Sequence, residues 1–297
     1  MNHISKDSLR MHPDNPHKGK YDFKALLNVI PKLKSCIIKN KKGEDSIDFS
    51  DSEAVALLNT ALLKAYHKID FWDSDNKHLT PAVPGRCDHL LYLTDFLKSK
   101  KINTKENVLI LDIGTGANCI YPILGYSLFN WRFVASESNV KSYDSAANIL
   151  SQNLDQLNNI ELRKQENNNH IFKSIIKKGE SYTATICNPP FYASKEESIK
   201  ESQRKHKHLK TKNASRNFKG MAHELWYTGG EFAFIMNMID ESYLFKNQVK
   251  WFSSLVAKDS NLRRLIRYIN KQKGIRYEVI DFAHGNKKSR ILAWQIK

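Results

Sequence analysis

The sequence predicts an α/β fold: a mainly parallel sheet of seven strands with an antiparallel last strand, joined to a mostly helical N-terminal extension. Three features carry this. A run apolar but for Asp112, Val108–Ile113, enters Gly114-Thr115-Gly116, as a strand covered on both faces does. Strand-like and helix-like runs then alternate to the end of the chain, the pattern of a sheet with crossover helices. A second buried run, Tyr182–Cys187, closes on Asn188-Pro189-Pro190-Phe191, where two prolines remove two backbone donors and stiffen the exit.

With 297 residues and 41% hydrophobic content, the chain has room for one large domain and an extension. The expected division is a flexible basic arm at 1–20, a helical extension at 21–100 and the sheet domain at 101–297. Met1–Lys20 is rich in His, Pro, Asn and Lys and reads as disordered or ordered only by a partner. A short apolar pattern, Tyr21–Ile30, ends at Pro31. The clearest helix starts at Ser50, an N-cap with Glu53 three residues on, and carries Val55, Leu58, Leu62 and Ala65 at helical spacing. Pro81–Arg86 reads as a rigid loop delivering Arg86 to a carboxylate or phosphate, and a helix follows over Asp88–Lys98.

Gly114 and Gly116 let the backbone turn sharply and approach a ligand closely. A further strand, Trp131–Ala135, ends at Ser136-Glu137, about twenty residues on, where an acid meets ribose hydroxyls. Cys119 occupies the third-glycine position of a dinucleotide fingerprint, and no Gly-Lys-Ser/Thr follows as in a phosphate loop. The remaining pattern, Asp112-x-Gly-x-Gly with Thr115 inside it, suits a cofactor with ribose, adenine and an amino-acid tail but no phosphate. That cofactor is S-adenosylmethionine.

The later elements are a helix over Val140–Gln156, a strand over Ile160–Gln165, a helix over Gly230–Leu244 and a strand over Val249–Val256. A helix over Asn261–Gln272 and strands over Ile275–Phe282 and Arg290–Ile296 complete the chain. Ligands of such sheets lie at the carboxyl ends of the strands, so Asp112, Glu137 and Asn188 are expected to converge.

The chemistry of the Asn-Pro-Pro-Phe turn follows from its groups. An exocyclic amine is a poor nucleophile because its lone pair is delocalised into the ring. The Asn188 side-chain oxygen and the Pro189 carbonyl can accept its two N–H groups and aim the lone pair at a methyl donor. Pro190 fixes the turn, and Phe191 can stack on the base. A single base in such a pocket must be unpaired or flipped out.

At these residues the chain resembles the 23S ribosomal RNA adenine-N6 methyltransferase family, related to eukaryotic methyltransferase-like RNA adenine enzymes. The matching stretches are Ile47-Asp48-Phe49-Ser50, Pro84-Gly85-Arg86, Asp112–Ala117 with Cys119-Ile120-Tyr121-Pro122, and Asn188–Phe191. Glu224-Leu225-Trp226, Gly229-Gly230-Glu231 and Trp251-Phe252 complete the resemblance. It implies a class I, Rossmann-like methyltransferase fold, S-adenosylmethionine as cofactor, and an adenosine of large-subunit RNA or an assembly intermediate as substrate. It also implies that Arg86 meets the cofactor's carboxylate. Asp112, Gly114, Thr115, Gly116, Glu137 and the edge of Asn188 complete the expected cofactor set. The contact expected after strand Ile160–Gln165 is poorly matched and stays open.

A net charge of +16 points to a polyanionic partner. The segment 195–219 holds nine Lys or Arg against three Glu, and Lys205, Lys207, Lys210, Lys212 and Arg216 are its candidate phosphate contacts. That favours RNA over the glutamine amide of a release factor, which an Asn-Pro-Pro turn also suits, while the intact Asn188 turn and glycine loop argue against an idle ribosome-assembly protein. DNA adenine methylation would use the same turn. Four scattered cysteines without a C-x-x-C pair, and eleven histidines without a ligand spacing, predict reduced thiols and no metal site. No run has membrane-spanning length, so a cytoplasmic protein is expected, and separately a monomer.

Overall fold

The computed structural model describes residues 11–72, 80–197, 199–200, 226–284 and 287–297. Helix α1, Phe23–Val29, leads into a short hairpin of β1, Ile37–Lys39, and β2, Asp45–Ile47. Helix α2, Ser52–His67, starts one residue later than expected: Asp51 is the cap and accepts from the Glu53 amide at 2.9 Å. Ser50 instead donates its amide and hydroxyl to Asp48 Oδ1, at 2.8 and 2.6 Å. Helix α3 spans Val83–Ser99, so the expected Arg86 loop is already helical. Pro84 sits in the first turn, where a missing N–H costs nothing, and the Arg86 amide donates to the Ala82 carbonyl at 3.1 Å.

The described part of the expected flexible arm, residues 11–20, is docked. The His12 amide donates to Asp88 Oδ1 at 3.0 Å, and the Asn15 side chain donates to the same oxygen at 2.6 Å and to the Pro84 carbonyl at 2.9 Å. His17 and His67 meet through their Nε2 atoms at 2.9 Å. Polar composition here reflects buried hydrogen bonding to α3, which composition alone does not separate from solvation.

The central sheet begins with β3, Leu109–Ile113, then α4, Ile120–Phe129, and β4, Arg132–Glu137. Helices α5, Val140–Ser151, and α6, Leu154–Leu157, split the single helix expected there and precede β5, Ile160–Lys164. After β6, Ala184–Cys187, come α7, Gly230–Ser242, β7, Phe252–Val256, α8, Asp259–Ile269, and the hairpin β8, Ile275–His284, with β9, Lys287–Ile296. Four parallel strands run in the order β5-β4-β3-β6, and three run in the order β7-β9-β8 with antiparallel pairs. The two parts meet at β6 and β7. There the Thr185 amide donates to the Trp251 carbonyl at 2.9 Å, the Ser253 amide to Thr185 Oγ1 at 2.9 Å, and Ser253 Oγ to the Thr185 carbonyl at 2.6 Å. Hydroxyls thus stand in for ladder bonds between these neighbours.

Both faces of the sheet are covered, and β3 alternates between them. Ile110 packs with Leu62, Leu90, Leu124 and Phe133 on one face, while Leu111 packs with Ile235, Met238, Phe252 and Trp294 on the other. The first face includes residues of α1, α2 and α3, so the expected boundary at 100/101 runs through one continuous core. Among the described residues no helix is long and apolar enough to cross a membrane.

One ion cluster fixes the far edge of the sheet. Arg163, with 8% of its side chain exposed, donates to Glu161 at 2.7 and 2.8 Å, to Glu180 at 2.5 and 2.8 Å, and to the Ile175 carbonyl at 2.6 Å. These bonds hold Glu161 down to about 2, and against the effect of burial they hold Glu180 to about 2 as well. Arg163→Met is expected to cost about 2–3 kcal/mol at pH 7, discounted because Glu161 is half exposed. A depressed carboxylate stabilises above its unfolded value and loses that contribution as pH falls. Urea unfolding should therefore show the gap between variant and parent closing from about pH 4.5 towards pH 2.

Candidate active site

Strand register gathers the site. Ile113 pairs with Ser136 of β4 and with Cys187 of β6. One residue further on, Gly114, Glu137 and Asn188 stand at the carboxyl ends of three adjacent strands. The expected convergence is therefore a consequence of parallel pairing, since all these ends face the same way.

Gly114 and Gly116 both take φ +68°, and a Cβ at either would meet nothing within 4 Å. Glycine is required here for the left-handed backbone. Cys119, in the third-glycine position, also turns left-handed, with φ 48°, and opens α4. The Glu137 carboxylate holds the loop: Oε2 accepts from the Gly116 amide at 2.9 Å, and Oε1 accepts from the Ser138 and Asn139 amides at 2.9 and 2.8 Å. The Thr115 amide donates to the Ser136 carbonyl at 2.9 Å.

Asp112 lies fully buried below the loop, and neither carboxylate oxygen has a hydrogen-bond partner of normal geometry. Burial pushes its carboxyl up to about 7; the Glu137 charge adds to this, while the Thr115 hydroxyl and Arg86 oppose it. The Arg86 guanidinium carbon lies 5.5 Å from the centre of the Tyr121 ring, which is itself buried and hydrogen-bonded to His89 Nδ1 at 2.8 Å. Arg86 thus reaches the glycine-loop region from the first turn of α3.

A cavity of about 690 Å³ opens beside the loop, with Gly114 and Glu137 on one wall. Its other walls were not foreseen from the sequence. Ser138 and Asn139 follow β4, while Gln165, Asn168 and Asn169 follow β5, where the sequence leaves a cofactor contact open. The run Asn167-Asn168-Asn169 was the available signal: small polar amides clustered directly after a strand end. Trp226, Tyr227 and Thr228 close the opposite side. His170 Nδ1 and Trp226 Nε1, also on the wall, are buried with no partner among the described residues. Unpaired polar atoms around a concave space of this size suit a polar small molecule.

The Asn-Pro-Pro-Phe turn borders this cavity without lining it. Ala184–Cys187 are buried, Pro189 is buried, and Asn188, Pro190 and Phe191 are half-buried. The chain continues into Tyr192, which pairs with Trp226 and accepts from the Tyr227 amide at 3.0 Å. The turn and the cavity therefore share a wall. Gly230, φ +68°, packs here, since a Cβ would lie 3.3 Å from the Ala193 amide nitrogen. Glu231 acts as a brace: buried, it accepts from the Ala257 amide at 2.6 Å and from Asn261 Nδ2 at 2.7 Å, tying α7 to α8. Lys205, Lys207, Lys210, Lys212 and Arg216 lie outside the described residues.

Comparison with known proteins agrees with this architecture. The profile of a family described as RNA methyltransferase matches residues 5–297. The chain is 45% identical over 286 residues to the ribosomal RNA large subunit methyltransferase F of Christiangramia forsetii, covering 96% of this chain and 99% of that protein. The catalytic domain of human METTL16, solved in complex with MAT2A 3′UTR hairpin 6, matches with a TM-score of 0.77 at 28% identity, covering 97% of this chain and 98% of that one. The N-terminal domain of human METTL16 in complex with SAH gives a TM-score of 0.74 at 26% identity, with 97% and 99% covered. With nearly its whole length matched by one profile and shared with a relative of known class, the chain belongs to the RNA methyltransferase family.

Proposed function

We propose that this RNA methyltransferase methylates the N6 amine of an adenosine in 23S ribosomal RNA, with Asn188-Pro189-Pro190-Phe191 holding the base. The observation that carries the reading is the position of Asn188: a half-buried amide at the end of a buried strand, in register beside the glycine loop and Glu137.

The methyl donor is S-adenosylmethionine, whose sulfonium supplies an electrophilic methyl group. The residues present fit it: a cavity of about 690 Å³, open glycine backbone on one wall, and buried polar atoms without partners. Glu137, its carboxylate held by the amides after β4, suits ribose hydroxyls, Arg86 suits the amino-acid carboxylate, and Asp112 with Thr115 lies under the loop. On the substrate side, the Asn188 oxygen and the Pro189 carbonyl accept the two amine protons. Phe191 stacks on the ring and Pro190 keeps both acceptors in one geometry. The methylated nitrogen loses its proton to solvent, so neither acceptor has to be a strong base.

Lys205, Lys207, Lys210, Lys212 and Arg216 supply phosphate contacts that add affinity without reading sequence. Replacing the four lysines by glutamine should weaken rRNA binding, most of all at low salt, and leave cofactor affinity unchanged; equal rRNA affinity at moderate salt would sink that assignment. Labelled S-adenosylmethionine offered with deproteinised 23S RNA, intact large subunits, release factor and DNA tests the whole reading. The label should enter RNA and run as N6-methyladenosine after digestion to nucleosides. Label confined to release factor or DNA, or found on another nucleoside, overturns it.

A further inference from the structure

We propose that His17, His67 and Cys87 form a binding site for a zinc-class transition-metal ion that pins the N-terminal segment to α2 and α3. All three side chains are buried, and one ligand atom from each falls within 4.8 Å of the others. They come from three separate pieces of chain: the docked N-terminal segment, the last residue of α2 and the first turns of α3. Two imidazoles and one thiol are the donor types that zinc selects.

The geometry is close to what an ion needs. The Nε2 atoms of His17 and His67 stand 2.9 Å apart. Two ligands of a tetrahedral ion, each about 2.0–2.1 Å from it, stand about 3.3 Å apart, so a small outward shift makes room. The other nitrogen of His67, Nδ1, lies 2.9 Å from Ser127 Oγ, an outer contact that fixes the ring with Nε2 facing the cluster. Asp88, adjacent to Cys87 and buried, supplies negative charge beside the site and already anchors His12 and Asn15. On binding, the Cys87 thiol gives its proton to solvent and the sulfur enters as thiolate, leaving a fourth position for water.

The site lies outside the methyl-transfer machinery, and its likeness to a ligand set is invisible in the sequence. Spacings of 50 and 20 residues match no short metal motif. A metal there would cross-link the segment 11–20, whose other anchors include hydrogen bonds to α3.

The test uses the full chain, purified without a metal-chelating tag and analysed for metal content. About one zinc per chain is expected, together with a thiolate-to-metal absorption band when cobalt(II) replaces it. Cys87→Ser and His67→Asn should each weaken cobalt(II) binding by about a hundredfold or more. Cys87→Ser is the conservative variant, and its thermal unfolding should no longer respond to a strong chelator. Full-chain protein with no bound zinc that also binds added cobalt(II) no better than Cys87→Ser overturns the proposal. In that case the three groups are a packed, hydrogen-bonded cluster.

Discussion

Asn188→Ala is expected to lower the rate of methyl transfer by about 10²–10³-fold, the loss typical of removing one preorganised polar group from a reacting centre. The substitution leaves the buried strand Ala184–Cys187 and its pairing with β3 intact, so the fold should persist. Cofactor affinity should stay within about threefold, because the cavity is lined by Gly114, Glu137 and the loops after β4 and β5. Single-turnover transfer to rRNA, with calorimetric binding of S-adenosylmethionine, separates the two quantities. A variant with near-parental turnover contradicts the role given to Asn188. One that loses cofactor binding and turnover together moves Asn188 into the cofactor site instead.

Asp112→Asn should pull stability and function in opposite directions. Burial holds the folded carboxyl at about 7, whereas the unfolded group titrates near its ordinary value of 3.8. Between these limits the folded state binds more protons than the unfolded one. Stability therefore falls as pH rises from about 4 to 7, by up to about 4 kcal/mol. Asn cannot ionise, so the variant should melt several degrees above the parent at pH 8 and close to it near pH 4, where the unfolded carboxyl is about half protonated. Scans at the two pH values measure this directly; parallel profiles for the two proteins would show that Asp112 titrates normally. The same variant should bind S-adenosylmethionine at least tenfold more weakly, an exchange typical of sites that keep a buried charge for function.

Much of this architecture was legible because it is written locally. Val108–Ile113 is apolar at every position but Asp112 and runs into two glycines, which leaves little choice but a buried strand and a left-handed turn. Pro189 and Pro190 mark their own rigidity. The shift of the α2 cap from Ser50 to Asp51 shows the limit: both residues can cap, and Asp48 decides by engaging Ser50. Arg86 looked like a loop residue because Pro84 suggests a break, yet proline in a first turn begins a helix.

The sequence by itself determined the class of fold, the glycine loop, Glu137 and the Asn-Pro-Pro-Phe turn, since each depends on backbone preferences within a few residues. Tertiary structure alone decided what meets across long separations. It brought Gln165 and the asparagine run to the cavity wall, set the turn beside Trp226, buried His12, Asn15 and His17 of the polar segment 11–20 against the helices, and collected His17, His67 and Cys87. The physical reason is that periodicity reports which way a side chain faces, whereas only packing chooses its partners.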